Sequence, residues 1–310
     1  MKIPAVMMCA MIGAGTLAAG PVITGFNAAR GGALSLKEGS ATATLRASIA
    51  ASFPNATLQA VGTVTAGGLS GCDVVMLASP TGGVSAIAPL TSQEQTELLS
   101  FVLSGHGAVI FSDNDSFAGG ASQPANLSLL APFGMTCTGT GPGWMRAAAI
   151  ANPSGSPVTD GPFGVVNSYA VGWSGWFQSL GSSTVLGRLA DNNTPSLAVI
   201  PRGVLGPGSG PVVIFSDSTM IYDGYYPSVN VPVVMNAIAF AAGPGCPGDF
   251  NSDDVVNDAD FSIFVRGYDL LDCSDPLMQP GCPADLNSDG MVDDADFVIF
   301  VAGYDRLVCP

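Results

Sequence analysis

The sequence predicts an α/β domain, three layers built on a parallel sheet, followed by a small all-α domain. Three observations carry this. Residues 20–243 alternate short apolar runs with helix-like segments, the rhythm of strand–helix–strand units. Residues 246–273 (CPGDFNSDDVVNDADFSIFVRGYDLLDC) and 282–309 (CPADLNSDGMVDDADFVIFVAGYDRLVC) repeat one text with 19 identities at a register of 36. The 310 residues are 47% hydrophobic and 11% charged, a composition suited to buried cores and not to disorder.

Residues 1–19 read as an export signal. Lys2 supplies the positive start, Ile3 to Leu17 is apolar and small, and Thr16-Leu17-Ala18 is a small-x-small cleavage site. Pro4 and several glycines interrupt the run, which argues against a permanent anchor. The mature chain is expected outside the cell or at its surface, with no membrane span.

The elements of the larger domain follow in order. Val22-Ile23-Thr24 begins the sheet. Ala41 to Phe53 is helical, with Leu45, Ile49 and Phe53 on one face. Leu58 to Val64 alternates as a strand, and Asp73 to Ala78 is a buried strand. Thr91 followed by Glu94 is a capping box, and its helix stops at Gly105. Ala108 to Phe111 is the next strand, and Asn126 to Phe133 a short helix. The stretch 134–210 is rich in Gly, Pro, Ser and Asn, with strand-like pieces at 165–171, 184–189 and 197–200. Pro211 to Phe215 is a central strand. Val231 to Ala242 is the closing helix, with Pro232 tolerated in its first turn. Gly243-Pro244-Gly245 is a linker, and the small domain spans 244–310.

Charge is lopsided. Of the net −15, residues 246–310 hold −12, from fourteen Asp and two Arg. Such a surface repels nucleic acid and anionic membranes, and the clustered acids call for a cation. Each repeat places oxygen-bearing residues at positions 1, 3, 5, 7, 9 and 12 of a calcium loop. The first has Asp249, Asn251, Asp253, the carbonyl of Val255, Asn257 and Asp260. The second has Asp285, Asn287, Asp289, the carbonyl of Met291, Asp293 and Asp296. Position 6 must turn sharply; it is Gly290 in the second loop and Asp254 in the first, which is therefore expected to bind more weakly. Hard oxygen donors favour two Ca²⁺ ions over zinc or copper.

A helix follows each loop, with Phe261, Phe264 and Tyr268 on one stripe and Phe297, Phe300 and Tyr304 on the other. That stripe is expected to zip the two helices together. A helix over 258–270 is roughly 20 Å long. If the helices are antiparallel, the end of one lies near the start of the other's loop, which predicts Cys273–Cys282 and Cys246–Cys309. A loop with only its exiting helix, duplicated, resembles a type I dockerin, and the Cys-Pro flanks resemble the dockerin-like tails of planctomycete-type secreted proteins. The resemblance implies folding on calcium uptake and a cohesin-like or cell-surface partner. Positions 10 and 11, often Ser-Thr in that family, are Asp258-Ala259 and Asp294-Ala295, a departure from standard cellulosomal recognition.

The larger domain, through GCDVVMLASP, GAVIFSDNDSF, SPVTDGPFG, GPVVIFSDS and NAIAFAAG, resembles the class I glutamine amidotransferase-like fold, which is flavodoxin-like and includes trehalose-utilisation-type domains. Active members carry Cys in a G-x-C-x-G turn after a strand and a distant His. Here Ser112-Asp113-Asn114-Asp115 follows the corresponding strand, Cys72 precedes a strand, and Cys137 lies in a Thr/Gly-rich segment. The one histidine, His106, falls between helix and strand on the wrong edge of the sheet. What remains at the carboxyl edge is Asp113, Asp115 and Asp217, with Trp144, Tyr169, Trp173 and Trp176 as a sugar-stacking wall. Three functional expectations follow: a secreted, non-catalytic body carried by a calcium-dependent docking module; a glycan-binding or polysaccharide-degrading protein using those acids; and a degenerate hydrolase using Cys72 or Cys137.

Overall fold

The computed structural model describes residues 20–79, 86–116, 120, 122–140, 146–206, 208–224, 228–243, 248–250, 256–279, 282–286 and 289–304. The expected export signal at 1–19 lies outside the described residues, as does the linker beyond Gly243.

The chain enters at β1 (Val22–Phe26), turns through α1 (Ala28–Gly31), and runs through α2 (Ala43–Ser52), β2 (Thr57–Val61), β3 (Val74–Ala78), α3 (Ser92–Leu103) and β4 (Gly107–Phe111). Then come α4 (Ser122–Leu130), β5 (Met135–Thr138), β6 (Arg146–Ile150), β7 (Asp160–Gly161), β8 (Gly164–Val165), β9 (Ser168–Val171) and β10 (Trp176–Leu180). β11 (Thr184–Leu189), β12 (Pro195–Ile200), β13 (Val212–Phe215) and α5 (Val231–Ala242) close the larger domain; α6 (Asp258–Tyr268) and α7 (Asp294–Tyr304) follow the two loops.

The main sheet has the order β2-β1-β3-β4-β13-β12-β11-β6-β9. It is mixed, which corrects the expectation of a parallel sheet. From β2 to β13 all neighbours are parallel; from β13 to β9 all are antiparallel. Parallel neighbours need a crossover of a dozen or more residues. Between β9 and β13 the described chain contains no helix to make one, and β11 turns straight back into β12. Asn193, at φ 59°, makes the β11–β12 turn.

Alternate residues of the central strands enter two separate cores. Val109 and Phe111 of β4, with Val213 and Phe215 of β13, pack towards Leu45 and Ile49 of α2 and Val233, Val234 and Ile238 of α5. Ala108, Ile110, Val212 and Ile214 pack towards Leu98 and Val102 of α3 and Leu129 of α4. The period of two along each strand thus produces the three layers.

One ion pair ties the carboxyl edge at β1 together. Arg30 of α1 pairs with Glu94, donates to the carbonyls of Gly62, Ala88 and Pro89, and lies 4.6 Å over the Phe26 ring. Glu94 also accepts from the backbone N–H of Val64 at 3.0 Å and of Thr91 at 2.9 Å, the second being the capping box read from sequence. Burial alone would raise the Glu94 pKa, but the Arg30, Thr91 and Val64 donors together hold it down at about 2.

Residues 248–304 have their own core. Phe264 and Phe300 are buried together with Val256, Ala284 and Val292, their ring centroids 5.2 Å apart. Phe261 and Phe297 are 41% and 39% exposed, so only part of each aromatic stripe is core. Tyr268 donates to Asp294 Oδ1 at 2.5 Å and Tyr304 to Asp258 Oδ1 at 2.6 Å. Each helix end therefore meets the other helix's start, the antiparallel arrangement assumed above. The Cys273–Cys282 disulfide is present; Cys246 and Cys309 lie outside the described residues.

Replacing Glu94 by Gln leaves the Arg30 guanidinium buried without its counter-charge, at an expected cost of about 3 kcal/mol near neutral pH. Because folding lowers the Glu94 pKa, its contribution is present above the unfolded value of about 4.3 and lost as pH falls towards 2. Denaturant titrations of both proteins should differ at pH 7 and converge near pH 2.

Candidate functional site

The second loop is the more fully described. Asp285 Oδ1 accepts from Asp289 N at 3.1 Å and Oδ2 from Gly290 N at 2.9 Å. Asp289 Oδ1 accepts from Met291 N, and Asp293 Oδ1 from Ala295 N, at 2.9 and 2.8 Å. Asp296 is fully buried; its Oδ1 accepts from Leu286 N at 2.7 Å and its Oδ2 from Asp293 N at 2.9 Å. Carboxylates at positions 1, 5, 9 and 12 thus all turn onto one loop. Gly290 has φ +91°, the left-handed turn that position 6 demands, where a side chain would be strained. Met291 exposes its side chain and forms an isolated bridge with Asp272. Asn287 lies outside the described residues.

The first loop repeats the clamp at its twelfth position. Asp260 is fully buried, with Oδ1 accepting from Phe250 N at 2.7 Å and Oδ2 from Asn257 N at 3.0 Å. Asn257 caps α6 through Ala259 N at 2.8 Å. Asp249 is described; Asn251, Asp253, Asp254 and Val255 are not. The donor set is oxygen throughout, the chemistry a hard divalent cation requires. The sulfurs of Cys273 and Cys282, close to Asp285, are bonded to each other and offer no thiolate.

The other candidate lies at the carboxyl edge of β4 and β13, whose register pairs Phe111 with Phe215. Asp113 and Asp217 therefore come two residues further along, just past the ends of adjacent strands. The structure brings them together but opens no cleft to them: Asp113 is 1% exposed and Asp217 0%. Asp113 Oδ1 accepts from the Asn114 N–H and side-chain amide; its Oδ2 accepts from the Ser218 hydroxyl and N–H. Asp217 accepts from Thr219 N at 2.9 Å, Thr219 Oγ1 at 2.6 Å and Gly172 N. The segment 172–175 closes over both: Gly175 N donates to Ser216 O, and Asn114 Nδ2 to Trp173 O at 2.6 Å. These acids are acceptors for loop backbone. Burial first, then the Asp217 charge, pushes Asp113 up to about 7; burial raises Asp217 as well.

Asp115 accepts from Thr138 Oγ1 at 2.8 Å and Gly139 N at 2.6 Å. Gly139, at φ +77°, sits where a Cβ would strike the Trp176 ring at 2.0 Å, so the loop needs glycine on both counts. The aromatic wall is not formed as expected. Tyr169 is 1% exposed, its hydroxyl 2.5 Å from Ser196 Oγ, because β9 directs it into the core. Trp173 is 41% exposed, and Trp144 lies outside the described residues.

Neither thiol is activated. Cys72 and Cys137 are both buried and unbonded to each other. Burial raises Cys72, and pushes Cys137 up to about 12. His106 stacks on Phe101 at 4.6 Å and lies 3.0 Å from Ser104 Oγ, at the amino edge of the sheet. The sequence reading missed Asn126, whose amide accepts from Asp113 N at 2.9 Å and donates to Asp113 O at 2.7 Å. No local pattern marks such a residue.

No protein-family model matches the chain, and no curated protein matches it. Among solved structures, the chain is similar to the mmIFT52 N-terminal domain, at 12% identity and TM-score 0.53, covering 72% of this chain and 97% of that one. It is similar to a ThuA-like protein from Bacteroides uniformis, at 12% identity and TM-score 0.46, covering 74% and 94%. A ThuA-like protein from Parabacteroides merdae matches at 11% identity and TM-score 0.42, covering 72% and 88%. At such identities the likeness is one of fold alone: an α/β architecture with a large sheet flanked by helices.

A raised folded-state pKa means that Asp113 contributes stability in full below its unfolded value of about 3.9, lost as pH rises towards 7. Asp113→Asn keeps an oxygen that accepts from the Asn114 donors and removes the titration. Unfolding free energy of the natural chain should fall between pH 4 and 7 by up to about 1.4 kcal/mol per pH unit from this group. The variant's curve should lack that fall.

Proposed function

We propose that this is an exported protein in which residues 246–310 form a calcium-dependent docking module of dockerin type, carried on an α/β body whose carboxyl-edge acids serve structure. The observation that carries the reading is the doubled clamp. Asp260 and Asp296 stand 36 residues apart, are both fully buried, and each accepts from the two equivalent backbone N–H groups of its own copy at 2.7–3.0 Å. Placing a carboxylate there costs desolvation, which a divalent ion on the outer lone pairs offsets. The first ion would be held by Asp249, Asn251, Asp253, the Val255 carbonyl, Asn257 and Asp260. The second would take Asp285, Asn287, Asp289, the Met291 carbonyl, Asp293 and Asp296. The ion supplies positive charge that neutralises each set of acids and lets the loop close.

Docking is supported by the outward half of the aromatic stripes. Phe261 and Val265 of α6, with Phe297 and Val298 of α7, remain exposed on a net-acidic module. Among the described residues, no helix is long and apolar enough to cross a membrane. The partner class implied is a cohesin-like or cell-surface protein. The reading of Asp113 and Asp217 as sugar-cleaving acids asks for open carboxylates at a defined separation, and the two are sealed by loop 172–175.

Titration calorimetry on the full mature chain should register two calcium equivalents, and a chelator should reduce its helical signal. Asp260→Ala and Asp296→Ala should each remove one equivalent. No heat in the natural chain, with a spectrum indifferent to chelator, would end the proposal.

A further inference from the structure

The geometry points to the Cys273–Cys282 disulfide as the positioning device of the second calcium loop alone, a role that rests on the calcium reading above. The bond joins the exit of α6 to the entry of that loop, three residues before its first ligand, Asp285. Its Cys273 sulfur lies 3.6 Å from Asp285 Oδ2, the oxygen that also accepts from Gly290 N. Cys282 is held at φ +47°, a left-handed conformation uncommon for a side-chain-bearing residue, and its carbonyl accepts from Asp285 N at 3.0 Å. The backbone conformation that aims Asp285 is thus fixed by a cysteine that is itself tethered.

The other half of the bond acts on the middle of the same loop. Cys273 N donates to Gly290 O at 3.1 Å, and Val292 N donates to Leu271 O at 2.7 Å. Between them Asp272 bridges Met291, the residue whose carbonyl is the seventh-position ligand. Residues 271–273 therefore hold positions 6 to 8 of the loop, and the disulfide holds position 1 against the same segment. Leu271 adopts φ +62° to make this turn after α6. Two ligand-bearing stretches are thus tied to the same three residues, 271–273. Preorganisation of this kind improves affinity by removing the ordering cost from the binding step.

The bond is a support for the ligands and not one of them. Groups that orient metal ligands typically change affinity by about 10–100-fold when removed. The test uses the full mature chain in two backgrounds: Asp249→Ala, which leaves the second loop, and Asp285→Ala, which leaves the first. Calcium affinity is measured by calorimetry with and without Cys273→Ser plus Cys282→Ser. In the first background, the serine pair should weaken the remaining site by about tenfold or more. In the second, affinity should be unchanged.

Equal weakening of both sites, or of neither, overturns the inference, since a general staple or an idle bond would give those results. A second variant keeps both cysteines and inserts three glycines after Leu277. Unchanged second-loop affinity there assigns the effect to the bond; a loss assigns it to the connecting segment and also overturns the proposal. A natural chain that takes up no calcium at all would instead remove the docking reading on which this one stands.

Discussion

A backbone N–H removed from water must find an acceptor, and this chain repeatedly supplies one from an Asp, Asn or Glu side chain. Leaving one unpaired costs about 1–3 kcal/mol, so the positions of these side chains decide which loops can be buried. Asn126 serves both backbone groups of Asp113; Asn230 does the same for Ala170, at 2.8 and 2.9 Å. Asn236 accepts from Phe163 N and donates to Gly164 O. All three asparagines are fully buried. Asp113, Asp217 and Glu94 follow the same rule at the sheet's carboxyl edge, and Asp260 and Asp296 in the tail. The irregular stretch after β5 can therefore lie against the sheet without losing its hydrogen bonds.

That constraint explains what could be read from the sequence and what could not. The strands β3, β4 and β13 are continuous apolar runs and were plain. So was α3, because Thr91 and Glu94 are three residues apart and satisfy each other locally. The antiparallel half was legible only in pieces: 165–171, 184–189 and 197–200 read as strands, but β6 (RAAAI) did not stand out, and its pairing with β11 and β9 is made far along the chain. Asp113 and Asp217 were correctly placed on one edge. Their burial was invisible because it depends on Gly172 and Gly175, some forty to sixty residues from either partner strand's end in one direction or the other. In the tail, the paired spacing of acids and the backbone N–H groups they accept from was legible because both lie within a dozen residues. The split of each aromatic stripe into a buried and an exposed half was not, since it depends on how closely the helices cross.

The tail is one unit made of two. Phe264 of the first copy is covered by Phe297 and Phe300 of the second, and Phe250 stacks on Phe300 at 5.8 Å. The two tyrosine hydroxyls each reach the first helical residue of the opposite copy. Neither copy alone has enough apolar surface to enclose its own phenylalanines, which is the usual reason a short loop-and-helix motif is found in pairs.

Of the described residues between Cys273 and Cys282, Leu277 stands 80% exposed. An exposed apolar residue in an irregular segment gives a protease purchase. A cut there would separate the copies in sequence while sulfur still joined them. The clipped protein would migrate as one band on a gel until a thiol was added, and then as two.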